Sequence, residues 1–427
     1  MEKQKKDLTK NMLIIGFMMF STFFGAGNLI FPPYLGMLAG EQWQVGFLGF
    51  LIGDVTLAIL AIIATCRFED ANKGVLTRGG NVFATLVSSA MVLCVGPFVC
   101  IPRTASTTFE ISIQPFFTHF NTILFSVLFF ILVLFLTIRP TKVVDIVGKF
   151  LTPALLIVLA LMIIKGLITP LGNPADSKID MVFAEGLVQG YQTFDAMGGT
   201  VVAILVMATI IEKGYGEKRA RVQIAIRSGI IAGIGLMLVY GGLCYLGSTV
   251  SDMYGAEIVQ TALLVNITNA LFGTTGQALL GVIVILACLT TAIGLTSSVA
   301  QYFSTLTKGK LKYETVVAAV CIFSAVTSNF GVAAIVGFSI PILTFLYPAV
   351  VTMIVLSTFT DFIQNDNIYK VAGYGALAVG LIDIIDDAVG MPFMQSLPLA
   401  QFGFGWVTPV VILGVIGALI PFKKENK

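Results

Sequence analysis

The chain has 427 residues, of which 57% are hydrophobic and 11% are charged, and its formal net charge is +2. Its mean hydropathy is +0.95, whereas soluble globular domains carry about 25% charged residues. This composition excludes a soluble globule and indicates an integral membrane protein, and so small a net charge gives no reason to expect nucleic acid as a partner.

Apolar stretches long enough to cross a bilayer, about 20 residues each, recur along the whole chain. We count twelve of them, at residues 11–37, 43–66, 80–111, 119–138, 143–165, 183–211, 222–247, 277–305, 313–329, 332–358, 369–386 and 404–421. No linker or low-complexity stretch divides them, so we expect an all-α protein with one transmembrane domain over residues 1–427.

The basic residues predict the orientation of these spans, because Lys and Arg are enriched in cytoplasmic loops. With the N-terminus inside, every basic residue except Arg103, Lys165 and Lys178 falls on the cytoplasmic side. Both termini are therefore predicted to be cytoplasmic. The first apolar segment is too long for a signal-peptide core and lacks a small-residue cleavage site, so we expect a membrane anchor.

The first span contains a sequence that should interrupt its helix. Residues 23–34 read FFGAGNLIFPPY, with two glycines, one asparagine and two prolines. In hydrocarbon, an interrupted helix persists only where its freed backbone groups face protein, water or a ligand. Freed N–H groups attract an anion such as an amino-acid carboxylate, and freed carbonyls can bind a cation. Transport is therefore the first hypothesis.

Ionisable residues occur inside the second and third spans, where they are costly and commonly functional. Asp54 lies near the middle of the second span, either as a functional group or as a protonated or hydrogen-bonded structural carboxyl. Arg103 lies in the third span, where we expect it to pair with Glu110, seven residues later on the same helix face. The alternative partner is Asp195, across the bundle. The Arg103–Glu110 pair would serve as an outer gate or a structural ion pair.

The sixth span is also rich in glycine, since residues 186–200 read GLVQGYQTFDAMGGT. Interrupted spans at matching positions of two halves are typical of transporter binding sites. Spans one and six are five apart, which predicts two inverted repeats of five helices, at about 11–165 and 183–358. The helices at about 369–421 would lie outside the repeats.

Two further segments follow in the second half. Residues 262–272 form an apolar run too short to span, and we expect a helix over the outer mouth, with or without a gating role. Thr296 and Ser297 lie near the middle of the eighth span. Their hydroxyls either bond the carbonyl four residues earlier in the same helix or, with a few freed carbonyls, bind sodium.

The motif at residues 24–33 and the third-span pairs Gly96-Pro97 and Pro102-Arg103 resemble the bacterial branched-chain amino acid:cation symporter family. The resemblance covers essentially the whole chain. Residues 294–298, GLTSS, are similar to the cation-binding helix of LeuT-type sodium symporters. That resemblance implies a sodium ion held by the carbonyls of Ser21, Phe24 and Ile293 and the hydroxyls of Thr296 and Ser297. Some relatives bind a second sodium with an asparagine on helix seven, which is absent here between Arg221 and Ser248, so we expect one.

The resemblance also implies a substrate between the two interruptions. N–H groups at the start of a half-helix favour the α-carboxylate, and freed carbonyls or the Asp195 carboxylate would accept from the α-ammonium. The predicted substrate site comprises Gly25, Ala26, Gly27, Asn28, Thr193, Phe194, Asp195, Met197 and Gly198.

The sequence therefore predicts a sodium-driven symporter that imports leucine, isoleucine and valine across a bacterial cell membrane, without an organic cofactor or an obligate protein partner. A proton-coupled transporter with Asp195 or Asp54 as carrier is the alternative, and a nutrient receptor without turnover is a third reading. A membrane enzyme is disfavoured because the sequence has no His-rich metal cluster and no carboxylate pair close in sequence, although distant residues could converge. An ATP-driven pump is disfavoured because no Walker motif occurs.

Overall fold

A computed structural model describes residues 2–25, 27–68, 74–138, 142–391 and 393–421, with the backbone alone for 2–7 and 142–152. These residues form helices and connecting turns, without a β-strand among them. The α-helices are α1 Glu2–Phe23, α2 Gly27–Ala39, α3 Trp43–Leu51, α4 Leu57–Thr65, α5 Asn81–Leu93, α6 Cys100–Thr108, α7 Thr122–Ile138, α8 Lys142–Ile168, α9 Val182–Tyr191, α10 Asp195–Glu212, α11 Lys218–Ser248, α12 Gln260–Leu306, α13 Tyr313–Thr327, α14 Gly331–Thr358, α15 Asp366–Val389 and α16 Val407–Leu419.

Within the described residues, seven helical stretches are long and apolar enough to cross a membrane, and four shorter apolar helices accompany them. Large apolar side chains point outward on many helices; Leu238, for example, is 66% exposed. Such exposure is what lipid contact permits, and the membrane class predicted from composition is confirmed. The number of twelve spans stays a prediction.

The helix of the first span is interrupted, as its sequence predicts. α1 ends at Phe23 and α2 begins at Gly27, with Phe24 and Gly25 non-helical between them. Ala26, which we placed in the substrate site, lies outside the described residues. The two prolines are inside α2.

The sixth span is interrupted as well, at Thr193 and Phe194 of the predicted substrate site. α9 ends at Tyr191 and α10 begins at Asp195, and Phe194 between them has a left-handed backbone with φ of 67°. Gly199 instead lies inside α10, where a Cβ would be 3.0 Å from the carbonyl oxygen of Ala58. This glycine therefore serves the close packing of α10 on α4.

π-helical turns widen the second and third spans. One, Ile52–Thr56, joins α3 to α4 and carries Asp54. Two others, Cys94–Phe98 and Phe109–Ile113, flank α6, and the second carries Glu110. Single π turns are often found at functional sites, because they change the direction in which a side chain points.

The predicted short helix at 262–272 is part of α12. α12 kinks at Gly273, whose φ is 64°, so its first segment is set apart from the segment that carries Thr296 and Ser297.

Two helix pairs pack backbone against backbone through glycines. A Cβ at Gly247 of α11 would lie 1.8 Å from the carbonyl oxygen of Pro33 in α2. A Cβ at Gly186 of α9 would lie 1.9 Å from the carbonyl oxygen of Gly46 in α3. Small residues permit such close approach of helices in membranes. These glycine contacts let α2 pack directly on α11 and α9 directly on α3.

Candidate functional site

Asn28 links the two interruptions. It is the second residue of α2 and is 1% exposed. Its Nδ2 lies 3.1 Å from the Phe23 carbonyl oxygen, 3.3 Å from Asp54 Oδ2, 2.8 Å from Asp195 Oδ2 and 2.7 Å from the Tyr240 hydroxyl. An amide nitrogen has only two hydrogens, so four oxygens share this donor at the centre of a buried polar cluster.

Asp54 is brought into this cluster from the second span. It is 1% exposed, and its Oδ1 accepts from the Thr193 hydroxyl at 3.0 Å. The Thr193 oxygen in turn accepts from the Asp195 backbone N–H at 3.2 Å, at the start of α10. The carboxyl groups of Asp54 and Asp195 both accept from the Asn28 amide. The hydrogen-bonded alternative for Asp54 is therefore observed, and its partners belong to the candidate site.

Tyr240 of α11 is a site residue that the sequence analysis missed. Its hydroxyl donates to the Phe23 carbonyl oxygen at 3.2 Å, and its ring stacks on Phe24 with centroids 6.1 Å apart. No signal in the sequence pointed to it beyond the absence of an asparagine on this helix. The structure places a tyrosine hydroxyl beside Asn28 instead.

Arg103 lies against both interruptions. It is 4% exposed, and its Nη1 donates to the Gln192 carbonyl oxygen at 2.7 Å. Its guanidinium carbon is 5.3 Å from the Phe31 ring centre and 5.9 Å from that of Phe194. A Cβ on Gly27 would lie 2.7 Å from Nη2. The cation thus occupies space that only a glycine at position 27 leaves open.

The Arg103–Glu110 pair predicted from the sequence is not formed in this structure. Glu110 Oε1 accepts from the Val332 backbone N–H at 2.9 Å, and Oε2 accepts from the Thr261 hydroxyl. Arg103 donates instead to the Gln192 carbonyl oxygen, and Glu110 lies in a π turn from which it reaches α12 and α14. Glu110 therefore joins α12 and the start of α14 to the third span.

The alternative partner, Asp195, interacts electrostatically with Arg103 but forms no ion pair with it. Among the described residues, the ion pairs are Arg67–Asp361, Lys218–Asp361 and Arg78–Asp366. The guanidinium of Arg103 is directed to the Gln192 carbonyl oxygen instead.

The helix-eight residues give a mixed result for a cation site. Thr296 is fully buried, and among the described residues its hydroxyl oxygen has no hydrogen-bond partner. Ser298, by contrast, donates to the Gly294 carbonyl oxygen of its own helix at 2.8 Å. Ser297 accepts from the Tyr313 hydroxyl at 3.0 Å. The alternative of a bond within the helix is thus not observed for Thr296, and an orphaned buried oxygen fits a cation ligand.

The other predicted ligands lie on different elements. Ile293 is buried on α12, one helical turn before Thr296. Phe24 is buried beside the first interruption, and Ser21 is exposed on α1. α1 packs mainly against α11 and α10. In the part of the chain described, no hydrogen bond joins Phe24 to Ser297, so the full ligand set stays a prediction.

The remaining predicted substrate residues surround the second interruption. Thr193, Phe194 and Met197 are buried, whereas Gly25 is half-buried at the first interruption. A Cβ on Gly198 would meet no atom within 4 Å. Open space therefore exists beside the start of α10, next to Asp195.

A cavity of about 650 Å³ borders α9 beside the second interruption and is lined by α9, α14 and α15, including Glu185, Asp383 and Asp387. Two of its lining residues, Tyr191 and Tyr347, stack with ring centroids 4.1 Å apart. None of the predicted substrate residues that the structure describes lines this cavity, so the chemistry of the buried cluster, and not cavity size, identifies the candidate site.

Two interrupted helices that enclose a buried polar cluster in an all-helical membrane protein define a transporter of the LeuT type. A solved structure titled the inward-facing conformation of Mhp1 matches with a TM-score of 0.64 at 14% identity, covering 96% of this chain and 90% of that one. Mhp1 in a closed conformation with bromovinylhydantoin bound, described as a nucleobase-cation-symport-1 family transporter, matches with a TM-score of 0.63 at 16% identity, covering 95% and 91%. At these identities the likeness shows the fold alone.

The family follows from more similar sequences. Residues 8–424 match the family model described as branched-chain amino acid transport protein. The branched-chain amino acid permease BraB of Bacillus subtilis (strain 168) is 36% identical over 98% of both chains. The permease BrnQ of the same strain is 32% identical over 97% of this chain and 98% of its own. The chain belongs to the branched-chain amino acid transport protein family, and the resemblance seen in the sequence is confirmed.

Proposed function

We propose that this protein imports leucine, isoleucine and valine by alternating access, driven by an inward sodium gradient. The names of its relatives support the substrate class. The observation that carries the proposal is the 2.8 Å bond from Asn28 to Asp195, because it sets the freed backbone groups of both interruptions around one buried place.

The two ends of a zwitterionic substrate match the two half-helices. α2 begins at Gly27, and the first N–H groups of a helix have no partner within it and favour an anion. These groups, at Gly27 and Asn28, would take the α-carboxylate. The Asp195 carboxylate, at the start of α10, would accept from the α-ammonium. Buried Met197 and the open space at Gly198 would take the branched side chain.

Thr296 supports sodium as the coupling ion. Its buried hydroxyl oxygen lacks a partner, and a hard cation prefers oxygen ligands such as hydroxyls and carbonyls. Ser297, Ile293, Phe24 and Ser21 would complete the site with neutral oxygens, so sodium would bring the only charge.

Proton coupling is the second candidate, favoured by the two carboxyl groups, Asp54 and Asp195, that share the Asn28 amide donor. Such a pair can carry a proton. In this case the proton would enter and leave the pair in every transport cycle.

We also propose a bacterial cell membrane location with both termini cytoplasmic. Arg67, Arg78 and Lys218 form ion pairs with Asp361 and Asp366. All of these residues lie between spans on the side predicted to be cytoplasmic, and the basic residues there follow the rule for inner loops.

The first experiment measures uptake of labelled leucine into proteoliposomes that contain the purified protein. Accumulation is expected with an inward sodium gradient and not with a proton gradient alone. Accumulation driven only by protons would refute sodium coupling, and saturable binding without accumulation would indicate a receptor.

The second experiment tests the helix-eight site with a matched pair of variants. Thr296→Ala removes one proposed ligand oxygen, and we take its ion–dipole contact to be comparable with a hydrogen bond to a charged group, about 1.5–3 kcal/mol. We expect the sodium concentration for half-maximal uptake to rise by about 10- to 150-fold. Ser298→Ala, two residues away, removes a hydroxyl that bonds its own helix and should leave it unchanged. Equal sodium dependence in the two variants would exclude Thr296 as a ligand.

A further inference from the structure

The buried cluster contains two carboxyl groups that share one amide donor. Asp54 Oδ2 and Asp195 Oδ2 lie 3.3 Å and 2.8 Å from Asn28 Nδ2, so they are at most about 6 Å apart. An ionised carboxylate only accepts hydrogen bonds, so two carboxyl groups this close can bond to each other only if one of them holds a proton.

Electrostatics leads to the same conclusion. Two carboxylates that share a buried site cannot both ionise without strong repulsion. The charged side chain that interacts with the pair is Arg103, which is engaged by the Gln192 carbonyl oxygen. The other titratable groups facing the pair are the hydroxyls of Tyr240 and Tyr347 and the thiol of Cys100, which are neutral donors. One proton on the pair leaves it with a single negative charge.

The surroundings of the two groups differ, and they assign the proton to Asp54. Asp54 is 1% exposed within the π turn. Asp195 is half-buried and is the first residue of α10, where the free N–H groups and the helix dipole favour a carboxylate. Asp54 is therefore the acid and Asp195 the carboxylate.

We propose that Asp54 is a proton-binding residue that keeps its proton throughout transport. Through this proton Asp54 donates a hydrogen bond to Asp195, so that the site offers one negative charge to the substrate ammonium. The inference rests on the proposed placement of the ammonium at Asp195. Asp54 is then a positioning residue: its proton and the Asn28 amide orient the Asp195 carboxylate, and no second charge is left to attract another cation. The proton is not the coupling ion.

Infrared difference spectroscopy of the purified protein tests the proton directly. Subtracting the Asp54→Asn spectrum from the parent spectrum should leave the carbonyl stretch of a protonated carboxylic acid, which shifts in heavy water. We expect the band to persist with and without leucine and sodium, from about pH 6 to about pH 8, well above the ordinary carboxyl range. A missing band would overturn the proposal, and so would a band that disappears when leucine or sodium binds. This measurement does not depend on transport, and it remains interpretable if the proposed substrate is wrong.

Rescue by a conservative variant tests the positioning role in proteoliposomes. Asp54→Ala removes the donor, and we expect the leucine KM to rise by at least about 10-fold, the usual effect of losing a hydrogen bond to a charged group. Asp54→Asn supplies an amide N–H in place of the acid proton and should recover most of that loss while sodium-driven accumulation continues. Asp195→Asn removes the negative charge itself, so its leucine KM should stay raised although it also supplies an amide.

Two results would contradict this scheme. If Asp54→Asn binds leucine but no longer accumulates it, the proton moves during the cycle. If Asp54→Asn is as impaired as Asp195→Asn, the charge resides on Asp54. If the parent protein fails to accumulate leucine under either a sodium or a proton gradient, the proposed function fails, while the infrared result still decides whether Asp54 holds a proton. Size-exclusion profiles and thermal midpoints of each variant exclude misfolding as the cause.

Discussion

The backbone contact between α2 and α11 lies near the site and leaves no room for a side chain at Gly247. A methyl group at Gly247 would lie 1.8 Å from the Pro33 carbonyl oxygen, whereas ordinary contact begins at 3.4 Å. In the Gly247→Ala variant the two helices must therefore separate by about 1.6 Å. Overpacking typically costs about 1–3 kcal/mol. Because both helix backbones must move, we expect a loss near the top of that range, about 3 kcal/mol.

The displacement should also reach the binding site. α2 carries Asn28 five residues before Pro33, so moving α2 away from α11 separates the Asn28 amide from the Tyr240 hydroxyl, now 2.7 Å away. We expect Gly247→Ala to lower the thermal midpoint of the purified protein by a few degrees and to raise the leucine KM in proteoliposomes.

Gly337→Ala in α14 is the matched control. The substitution is the same, but its methyl group meets no atom within 4 Å, and alanine is a better helix former than glycine by about 1 kcal/mol. Its thermal midpoint should equal or exceed that of the parent, and its leucine KM should not rise. Identical behaviour of Gly247→Ala and Gly337→Ala would refute the backbone contact between α2 and α11.

A reciprocal variant sharpens the comparison. Gly36→Ala places a methyl group 1.8 Å from the Cys244 carbonyl oxygen across the same contact. Once one methyl has separated the helices, the second has room. The Gly36→Ala, Gly247→Ala double variant should therefore lose less stability than the sum of the two single losses. Substitutions at residues in contact are commonly non-additive in this way. Full additivity would indicate two independent packing defects.

Two further predictions concern charged side chains. Arg103→Lys keeps the charge but loses the planar fork that reaches the Gln192 carbonyl oxygen; we expect the leucine KM to rise by about 10- to 150-fold, and an unchanged KM would mean that Arg103 does not support the second interruption. Asp361 lies between spans, and a hydrogen bond from Lys218, with the charges of Lys218 and Arg67, lowers its pKa below 3.8. A lowered pKa in the folded state adds stability above the unfolded-state value, and this stability is lost as the pH falls through the folded value. Because Asp361 is 41% exposed, Asp361→Asn should cost less than about 1 kcal/mol at neutral pH. The difference in thermal midpoint between variant and parent should begin to shrink as the pH falls below about 4 and vanish once the pH is below the lowered pKa of Asp361; a difference that stays constant as the pH falls would refute this assignment.

The sequence predicts local features of this fold well, because they depend on residues close together along the chain. The second span was expected at 43–66, and α3, its π turn and α4 cover Trp43 to Thr65. The first interruption also falls where expected, since glycine and an asparagine in a hydrophobic segment weaken the helix wherever it is placed.

The prediction that was wrong concerns the hydrogen-bond partners of side chains far apart along the chain. Arg103 and Glu110 share a helix face in the sequence, yet Arg103 donates to a carbonyl 89 residues away and Glu110 accepts from α12 and α14.

The membrane class, the interruptions and the family can be recognised from amino-acid order alone, because hydropathy, glycine placement and motifs are properties of short segments. The arrangement of the site was decided only when the helices packed. Asp54 and Thr193 are 139 residues apart, and Asn28 and Tyr240 are 212 apart. A buried carboxyl, amide or hydroxyl group must find a partner, but only the packing of α2, α10 and α11 and the π turn between α3 and α4 determines which partner is within reach.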